Sequence, residues 1–299
     1  MKVKGLAALK PGGPLESYEF ERRSLGVKDV AFKITHAGIC HSDIHQVREE
    51  WGPALFPMVP GHEIVGMVTE VGSSVSKFKI GDRIGVGVFI DSCRECEPCK
   101  EGMQNYCDKG MTGTYNGFER DGKTIAFGGY STGFVINEDY AVTIPSNLDM
   151  AGVAPLLCAG ITLYSPIRHF KVGNGSKVAV MGLGGLGHMG VKFAHALGAE
   201  VTVLSHSERK REDALRMGAD EFFVIKSPED LKPLRRKFDL ILNTVSALID
   251  INPYLGTLKI DGTMVIIGLP DQPYKIGADR KSTRLNSSHV SESRMPSSA

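Results

Sequence analysis

The sequence predicts an α/β protein with two domains, a β-rich domain followed by a doubly wound parallel sheet. Three observations support this fold class. The chain has 299 residues, more than one domain usually contains, and 42% of them are hydrophobic, which is enough for two cores. Short apolar segments bounded by Gly and Pro fill the first half, whereas strand and helix patterns alternate in the second. We expect the domains to span residues 1–153 and 154–279.

The first domain is predicted to consist of short strands. Val30, Phe32 and Ile34 alternate with polar or small residues, as in a strand with one buried face. Further strands are predicted over residues 64–71, 83–89 and 130–136. The segment 150–164 is rich in Ala, Leu and Ile and contains Cys158, so we expect a buried helical connection between the domains.

The second domain begins with a predicted βαβ unit. Residues 177–181 and 201–204 have the apolar character of buried strands, and residues 184–197 between them have helical periodicity. Leu186 and Met189 lie on the apolar face of that helix. Three further strands are predicted over residues 222–225, 238–242 and 263–267. Such alternation is typical of a parallel sheet, here with five strands.

A glycine-rich motif lies where the first strand of this unit meets its helix. Gly182 would permit the tight turn, Gly184 would let a pyrophosphate approach the backbone, and Gly187 would let the helix pack on the strand. The position of the motif after a strand and before a helix predicts a dinucleotide site rather than a packing turn. Its residues are Gly182, Leu183, Gly184, Gly185, Leu186 and Gly187.

The end of the second strand decides between NAD and NADP, because an acidic residue there would bind the ribose 2′-hydroxyl of NAD. Ser205, His206 and Ser207 occupy this position instead, and the cations Arg209 and Lys210 follow. Hydroxyls followed by cations suit a 2′-phosphate, so we expect NADP(H), bound by Ser205, His206, Ser207 and Lys210. The alternative is that these cations only begin a solvated helix.

Four of the six cysteines fall between positions 93 and 107 and predict a metal site. Two residues separate Cys93 from Cys96, and two separate Cys96 from Cys99. Cys107 follows after a longer gap, so one loop can hold four thiolates around a structural zinc ion. An iron–sulfur cluster is a weaker alternative, because Asp108 rather than Pro follows the last cysteine. A disulfide framework suits short secreted chains rather than one of this length.

The remaining cysteines, Cys40 and Cys158, predict a second metal site together with His62. Two thiolates and an imidazole are the ligand set of a catalytic zinc ion that keeps one position open for substrate. Each residue also has a structural explanation, because Cys158 could be a small core residue and His62 a loop histidine. Their occurrence beside the four-cysteine loop and the glycine motif favours the catalytic interpretation.

Composition argues against several other classes of protein. The net charge is +1, and no basic cluster is interleaved with aromatic residues, so nucleic acid is not expected as a partner. No apolar segment approaches the length of a membrane span, so we expect no membrane association. All six cysteines can be assigned to metal, which predicts a reducing, cytoplasmic location.

Five longer motifs carry a family resemblance. They are Cys-His-Ser-Asp at 40–43, Pro-Gly-His-Glu at 60–63, Gly-Thr-Tyr-Asn at 113–116, Gly-Gly-Tyr at 128–130 and Ala-Pro-Leu-Leu-Cys-Ala-Gly-Ile-Thr at 154–162. Together they resemble the zinc-dependent alcohol dehydrogenases of the medium-chain dehydrogenase/reductase superfamily, above all the cinnamyl-alcohol-dehydrogenase branch. The resemblance extends from the N-terminus to about Pro270. It implies a GroES-like catalytic domain, a Rossmann domain and NADP(H)-dependent reduction of aromatic or aliphatic aldehydes.

The resemblance also implies roles for individual residues around the catalytic zinc ion. Cys40, His62 and Cys158 would bind the ion, and Glu63 would be a fourth ligand that gives way to water or substrate. Zinc would act as a Lewis acid that polarises an aldehyde carbonyl. Asp43 would orient the His62 ring through a hydrogen bond.

Proton transfer and binding of the substrate would involve further residues. Ser42 would hydrogen-bond the substrate oxygen and pass a proton towards His45, which can exchange it with water. Ser42 and Asp43 are also residue types that cap helices. Trp51 would line an aromatic substrate pocket or serve packing alone, and Thr162 would contact the cofactor.

Residues 280–299 depart from the resemblance. They are rich in Ser and have almost no apolar periodicity, so we expect a disordered, non-native tail on a truncated chain. The last Rossmann strand and a C-terminal return segment would then be missing, and the full-length parent would be a homodimer. We accordingly expect an exposed sheet edge, a tendency to aggregate, and weak or no activity for this chain.

The sequence therefore predicts a zinc-dependent oxidoreductase that transfers a hydride between NADP(H) and a primary alcohol or aldehyde, either aromatic or of medium aliphatic length. Among enzymes, the alternative is an NAD-dependent polyol or formaldehyde dehydrogenase. Outside the enzymes, the alternative is a noncatalytic protein that binds zinc and NADP, because a shortened chain could keep both sites.

Overall fold

The computed structural model describes residues 1–270 and 272–277, together with the strand Val290–Glu292. The chain divides into two compact units, one formed by Met1–Cys158 and one that begins at Ala159. The domain limits expected at residues 153 and 279 stay predictions. Each unit has its own hydrophobic core and is built around its own sheet.

The first unit is rich in β-structure, with short helices between the strands. Its strands are β1 Lys2–Ala8, β2 Leu15–Glu21, β3 Asp29–Ala37, β4 Ile64–Val71, β5 Arg83–Val86, β6 Phe89–Asp91, β7 Thr112–Gly113, β8 Gly117–Phe118, β9 Ile125–Ala126, β10 Gly133–Asn137 and β11 Val142–Thr143. Its helices are α1 His41–Val47, α2 Glu97–Lys100 and α3 Met150–Val153, with 3-10 turns at Gln104–Tyr106, Glu138–Tyr140 and Ala154–Leu157. The central antiparallel sheet has the order β10–β3–β4–β5–β11.

The apolar alternation in the sequence accounts for this central sheet. Phe32 and Phe134 pair across β3 and β10 and are fully buried. Strand β4 coincides with the strand predicted over residues 64–71. The segment 83–89, predicted as one strand, belongs to two, β5 and β6. Strand β5 ends directly before Gly87. A Cβ added to Gly87 would meet backbone atoms, so the alternation of side chains expected of one long strand cannot continue through this position.

The helical connection predicted over residues 150–164 is not one helix. Helix α3 leads into the 3-10 turn Ala154–Leu157, and the next helix, α4, is Ala159–His169. The break is at Cys158, whose φ of −127° and ψ of −75° are not helical. No single helix in the described ranges is long and apolar enough to cross a membrane. Only when joined would the two helical segments on either side of this break have the length and composition of a membrane span.

The second unit is a parallel sheet with helical crossover connections. Its strands are β12 Lys177–Met181, β13 Glu200–Ser205, β14 Glu221–Val224, β15 Phe238–Asn243, β16 Leu258–Ile266 and β17 Val290–Glu292. Its helices are α4, α5 Gly185–Ala196, α6 Arg211–Arg216 and α7 Asn252–Leu255, with 3-10 turns at Glu208–Lys210 and Pro228–Leu234. All strands run parallel in the order β14–β13–β12–β15–β16–β17, which confirms the predicted doubly wound fold.

The sheet has a sixth strand where the sequence predicted five. Strand β17 pairs with β16, with Val290 opposite Met264. The disorder expected over residues 280–299 stays a prediction. The edge of β16 offers backbone donors and acceptors with which an extended segment can pair. The rest of that predicted tail lies outside the described residues.

Helix α5 packs through its smallest residues. Gly187 and Gly190 are buried, whereas Leu186 and Met189, predicted for the apolar face, are only half-buried. An added Cβ on Gly190 would lie 3.2 Å from a methyl carbon of Leu163 in α4. Glycine thus lets α4 and α5 approach closely, which an apolar pattern based on large residues does not reveal.

Candidate metal and cofactor sites

The four cysteines of the predicted structural site converge on one point in the first unit. Their Sγ atoms all lie within 4.8 Å of one another, and those of Cys93 and Cys99 are 3.9 Å apart. Four sulfurs bound tetrahedrally to zinc at about 2.3 Å would be about 3.8 Å apart, so the observed spacing fits zinc. Helix α2 carries Cys99, and the 3-10 turn Gln104–Tyr106 leads directly to Cys107. The fourth member is Cys96.

Hydrogen bonds to sulfur favour thiolates at Cys93 and Cys99, whereas desolvation raises the pKa of Cys96 to about 11. The backbone N–H groups of Glu95 and Cys96 donate to Cys93 Sγ, each at 3.4 Å, and lower the pKa of Cys93 to about 6. Ser92 Oγ lies 3.1 Å from Cys99 Sγ, and this contact lowers the pKa of the Cys99 thiol. Because zinc binds the thiolate form, these bonds prepare the loop for the metal.

Cys40, His62 and Cys158 form a second group, whose ligand atoms also lie within 4.8 Å of one another. The sulfurs of Cys40 and Cys158 are 3.9 Å apart, although the residues are 118 positions apart in the chain. His62 Nε2 is buried and has no hydrogen-bond partner within the described part of the chain. A buried polar atom without a partner is rare and costly, and a zinc ion bound also by the two sulfurs would satisfy it. The residues therefore fit zinc.

The protonation of this group also fits a metal site. A hydrogen bond from the Cys158 thiol, supported by nearby His62, lowers the pKa of Cys40 to about 4. The same contact and burial raise the pKa of Cys158. Burial opposes a charge on His62, but its hydrogen bond to Asp43 and the nearby Cys40 outweigh burial and raise its pKa to about 10. These interactions favour a thiolate at Cys40, and a cation bound by all three residues would displace the protons of Cys158 and of one His62 nitrogen.

Asp43 connects these ligands to helix α1. Cys40 immediately precedes α1, and its N–H donates to Asp43 Oδ2 at 3.1 Å. Asp43 Oδ1 lies 3.0 Å from His62 Nδ1 and accepts the Gly61 N–H at 2.9 Å. Because a carboxylate can only accept, Nδ1 carries a proton and Nε2 is left for a metal. This is the geometry expected of a residue that orients His62.

Glu63, the predicted fourth ligand, is buried beside His62. A Cβ added to Gly38 would lie 2.0 Å from Glu63 Oε2, so the carboxylate packs against that glycine. Among the residues that the structure describes, the group at this site comprises Cys40, His62 and Cys158 and does not include Glu63. A ligand role for Glu63 stays a prediction.

Ser42 and His45 both lie on α1 near the metal group. Ser42 Oγ is 3.5 Å from Cys40 Sγ. His45 Nδ1 is hydrogen-bonded to Glu50, and its ring stacks on Trp51 with centroids 4.6 Å apart and an interplanar angle of 25°. The His45 side chain is 17% exposed, so solvent can reach it. Proton transfer through Ser42 and His45, and substrate binding by Trp51, stay predictions.

Two tyrosines beside the metal group have no role in the sequence-based prediction. The ring of Tyr115 stacks on His62 with centroids 5.8 Å apart, and the hydroxyl of Tyr130 donates to Asp43 Oδ2 at 3.0 Å. Both belong to motifs of the resemblance, Gly-Thr-Tyr-Asn and Gly-Gly-Tyr. No spacing rule connects them to His62, because the contacts form between segments that are distant in the chain.

In the second unit the glycine motif forms the turn between β12 and α5. Gly182 has a φ of +80°, which other residues rarely adopt, and a Cβ on Gly187 would lie 2.0 Å from the Gly182 carbonyl oxygen. No described atom lies within 4 Å of the Cβ positions of Gly184 and Gly185, apart from chain neighbours. This space and the N–H groups at the start of α5 can accommodate a phosphate.

The predicted NADP residues lie at and beyond the end of β13. Ser205 Oγ accepts the Ser207 N–H at 3.3 Å, and Lys210 Nζ donates to the Leu183 carbonyl at 2.5 Å, beside the glycine turn. A cavity of about 410 Å³ opens beyond the ends of β13 and β14. It is lined by His206, Ser207, Glu208, Val224, Lys226 and Asp230. Thr162 is half-buried in α4, and its contact with a cofactor stays a prediction.

Comparisons with known proteins match both halves of the chain. Residues 26–146 match the alcohol dehydrogenase GroES-like domain, and residues 185–299 match the zinc-binding dehydrogenase family. NADP-dependent alcohol dehydrogenase C 1 of Mycolicibacterium smegmatis is 56% identical over 277 residues, 92% of this chain and 79% of that protein. A probable formaldehyde dehydrogenase of Bacillus subtilis is 52% identical over 258 residues, 86% of this chain and 74% of that protein. The structure of a cinnamyl alcohol dehydrogenase from Sorghum bicolor is similar with a TM-score of 0.93 and 44% identity, and the match covers 98% of this chain and 83% of that one.

Proposed function

Because this chain belongs to the zinc-binding dehydrogenases with an alcohol dehydrogenase GroES-like domain, we propose that it transfers a hydride between NADP(H) and a primary alcohol or aldehyde. The observation that carries this proposal is the buried, unpartnered Nε2 of His62 beside the sulfurs of Cys40 and Cys158. Three ligands of this kind are typical of a catalytic zinc site, which keeps one position for substrate, whereas four cysteines are typical of a closed structural site.

Cys40, His62 and Cys158 would hold the catalytic zinc ion. When bound, zinc supplies a Lewis acid that polarises an aldehyde carbonyl towards hydride attack. Asp43 keeps the His62 ring in place, and we propose Glu63 as the ligand that gives way to water or substrate. A second zinc ion would be held, for structure alone, by Cys93, Cys96, Cys99 and Cys107.

The hydroxyl proton of an alcohol substrate needs a path to water. Ser42, with its Oγ near Cys40 Sγ, is placed to hydrogen-bond a substrate oxygen beside the metal group. We propose that Ser42 passes the proton towards His45, which can exchange it with solvent. Glu50, hydrogen-bonded to His45 Nδ1, would stabilise the charged ring while it holds the proton.

In the second unit, the glycine turn would bind the pyrophosphate and the end of β13 would bind the 2′-phosphate. The free space at Gly184 and Gly185 supports the first assignment. The hydroxyls and cations after β13, the absence of an acid at its last residue, Ser205, and the NADP-dependent relative support the second. The proposed cofactor contacts are Gly182, Leu183, Gly184, Gly185, Leu186, Gly187, Ser205, His206, Ser207, Lys210 and Thr162.

For the substrate, we propose an aromatic or medium-length aliphatic alcohol or aldehyde. The similarity to a cinnamyl alcohol dehydrogenase supports this class, and Trp51 would contribute an aromatic surface. Formaldehyde is a second candidate, because a relative of comparable identity carries that name. A cytoplasmic location and a homodimeric assembly belong to the same proposal.

Oxidation of NADPH and of NADH with cinnamaldehyde, benzaldehyde and formaldehyde would test the function. We expect turnover with an aromatic aldehyde and a preference for NADPH of about 10-fold to 100-fold in kcat/KM, since hydrogen bonds to a charged group are worth about 1.5–3 kcal/mol. The Lys210→Gln variant should lose part of that preference without losing NADH-dependent activity. Zinc-loaded protein that oxidised neither cofactor with any of the three aldehydes would contradict the proposal.

A further inference from the structure

We propose that Tyr130 is a positioning residue for the catalytic zinc site, acting through Asp43 on His62, and that Arg22 holds the chain segment that carries Tyr130. The inference rests on the proposed zinc site and concerns residues outside its ligand set. Its basis is two sets of hydrogen bonds within the first unit: Arg22 donates to the chain neighbours of Tyr130, and the Tyr130 hydroxyl is connected through Asp43 to the His62 ring.

The Asp43 carboxylate is where these hydrogen bonds meet the ligands. Asp43 is 3% exposed, donors reach both of its oxygens, and the Tyr115 hydroxyl also interacts with the carboxylate. Oδ1 accepts from Gly61 N and His62 Nδ1, and Oδ2 accepts from Cys40 N and the Tyr130 hydroxyl. Cys40 and His62 are themselves predicted ligands, and Gly61 directly precedes His62 in the chain. Tyr130 belongs to a separate segment. Tyr130 therefore connects the carboxylate to an independent part of the unit.

Backbone hydrogen bonds join the segment of Tyr130 to the segment of His62. The N–H of Gly129 donates to the Gly61 carbonyl at 2.8 Å, and the N–H of Tyr130 donates to the Pro60 carbonyl at 2.9 Å. Gly61 has a φ of +101°, and an added Cβ there would lie 2.6 Å from the Tyr130 ring. The ring thus packs directly on the residue that precedes His62, and its position fixes that of the hydroxyl.

Arg22 is hydrogen-bonded to the segment that contains Tyr130, on both the N-terminal and the C-terminal side of that residue. Its guanidinium donates to the carbonyls of Phe127, Gly128 (2.7 Å) and Gly133 (3.1 Å) and to the Ser131 hydroxyl (2.9 Å). Burial lowers the pKa of Arg22 to about 9, so it remains charged near neutral pH. A buried charge stays only where hydrogen bonds compensate for lost water, and here the compensating groups are mostly carbonyls of one loop.

The rings of Phe20 and Phe134 enclose the same guanidinium. Its central carbon lies 4.9 Å from the Phe20 centroid and 4.2 Å from the Phe134 centroid, within range of cation–π attraction. Arg22 is consequently enclosed by an aromatic ring on each of two sides. In this way it connects the segment of Tyr130 to Phe20 of β2 and Phe134 of β10, in addition to the backbone hydrogen bonds of that segment.

The orientation of His62 at the metal site depends on Asp43, which is hydrogen-bonded to its Nδ1. Residues that hydrogen-bond a metal ligand fix the ring orientation, and their loss typically costs about 10-fold to 100-fold in metal affinity or activity. Asp43 is such a residue for His62, and its own rotation is limited by Tyr130. Without the Tyr130 hydroxyl, Asp43 Oδ2 would keep the Cys40 N–H but lose a second donor, so the carboxylate would be held less firmly against Nδ1.

Tyr130→Phe tests the proposal because it removes one oxygen and keeps the ring. The zinc-loaded protein would be titrated with a chromophoric chelator, and the cobalt-substituted protein would be examined by visible absorption. We expect the affinity of the catalytic site to fall about 10-fold, with an altered cobalt spectrum, while the four-cysteine site keeps its zinc. Tyr18→Phe is the matched control, since its ring packs on Phe127 and it should behave as the wild type.

A second variant, Arg22→Lys, tests the hydrogen bonds of Arg22. Lysine keeps the charge but cannot reproduce the planar set of donors, so the affinity of the catalytic site should again fall, with the ligands intact. Unchanged zinc affinity and an unchanged cobalt spectrum in Tyr130→Phe would overturn the role of Tyr130, and the same result in Arg22→Lys would overturn that of Arg22. Wild-type protein that bound only the four-cysteine zinc would overturn the proposed catalytic site itself and this inference with it.

Discussion

The four-cysteine loop and the group of Cys40, His62 and Cys158 have similar internal spacing, with a pair of sulfurs 3.9 Å apart in each. They differ in how the chain assembles them. The loop ligands lie close together in sequence, so closing the site costs little conformational entropy. Cys40 and Cys158 are 118 positions apart and meet only when the unit has folded. The loop can therefore help to stabilise the fold, whereas the second site depends on a fold already formed.

The hydrogen bonds around the two sites follow the same division. In the loop, Cys93 Sγ accepts N–H groups of its own neighbours, Glu95 and Cys96. At the second site, the support comes through Asp43, which collects donors from separate segments, including Tyr130. A local site can thus be prepared by its own backbone. A site assembled from distant residues needs further side chains that fix the direction of each ligand.

The largest effect should come from serine in place of a buried cysteine of the loop. Cys107 is 8% exposed and Cys158 is 4% exposed, so the same substitution can be compared at both sites. Cys107→Ser should reduce the free energy of unfolding by at least about 3 kcal/mol, because structural zinc contributes about 10–16 kcal/mol in small zinc domains. Denaturant titration with a zinc assay would measure this. Wild-type stability in Cys107→Ser would show that the loop does not support the fold.

The matched variant at the second site should affect chemistry rather than folding. Cys158→Ser should lower kcat/KM for aldehyde reduction about 1000-fold, since a Lewis acid supplies several kcal/mol and each 1.36 kcal/mol is a factor of ten. Stability should stay close to that of the wild type, and metal analysis should find the loop zinc retained. The distinction between the sites would fail if Cys158→Ser destabilised the unit as much as Cys107→Ser does.

Local patterns in the sequence predicted much of the fold. Strand β4, strand β12 and the glycine turn at Gly182 lie where apolar alternation and glycine spacing place them. The break at Cys158 was not predicted, because the Ala- and Leu-rich segment around it favours helix along its whole length. The face of α5 was also missed, since its closest contact depends on Gly190, a residue that hydrophobic periodicity ignores.

For the metal sites, the ligand types could be read from the sequence and their surroundings could not. Cysteine and histidine are few, and spacing and ligand chemistry indicated the two groups that the structure brings together, whose roles as zinc ligands stay predictions. In the sequence, no local pattern assigns Tyr130 or Arg22 a role at the metal site. Their contacts with Asp43 and with the loop before β10 arise from strand register and buried side-chain geometry. Such pairings are global properties of the fold that no short motif encodes.

The smallest expected effect concerns the hydroxyl groups beside the loop. Ser92 is 2% exposed, and its Oγ lies 3.1 Å from Cys99 Sγ and 2.7 Å from the Tyr140 hydroxyl. Ser92→Ala should destabilise the protein by about 1 kcal/mol and accelerate zinc release from the loop about 10-fold, because Cys99 loses a hydrogen-bond donor. Tyr140→Phe leaves Ser92 in contact with the sulfur and should accelerate release less. Unchanged release in Ser92→Ala, measured with a chromophoric chelator, would mean that backbone N–H groups alone prepare the loop, which would make the contrast with the Asp43-supported site sharper still.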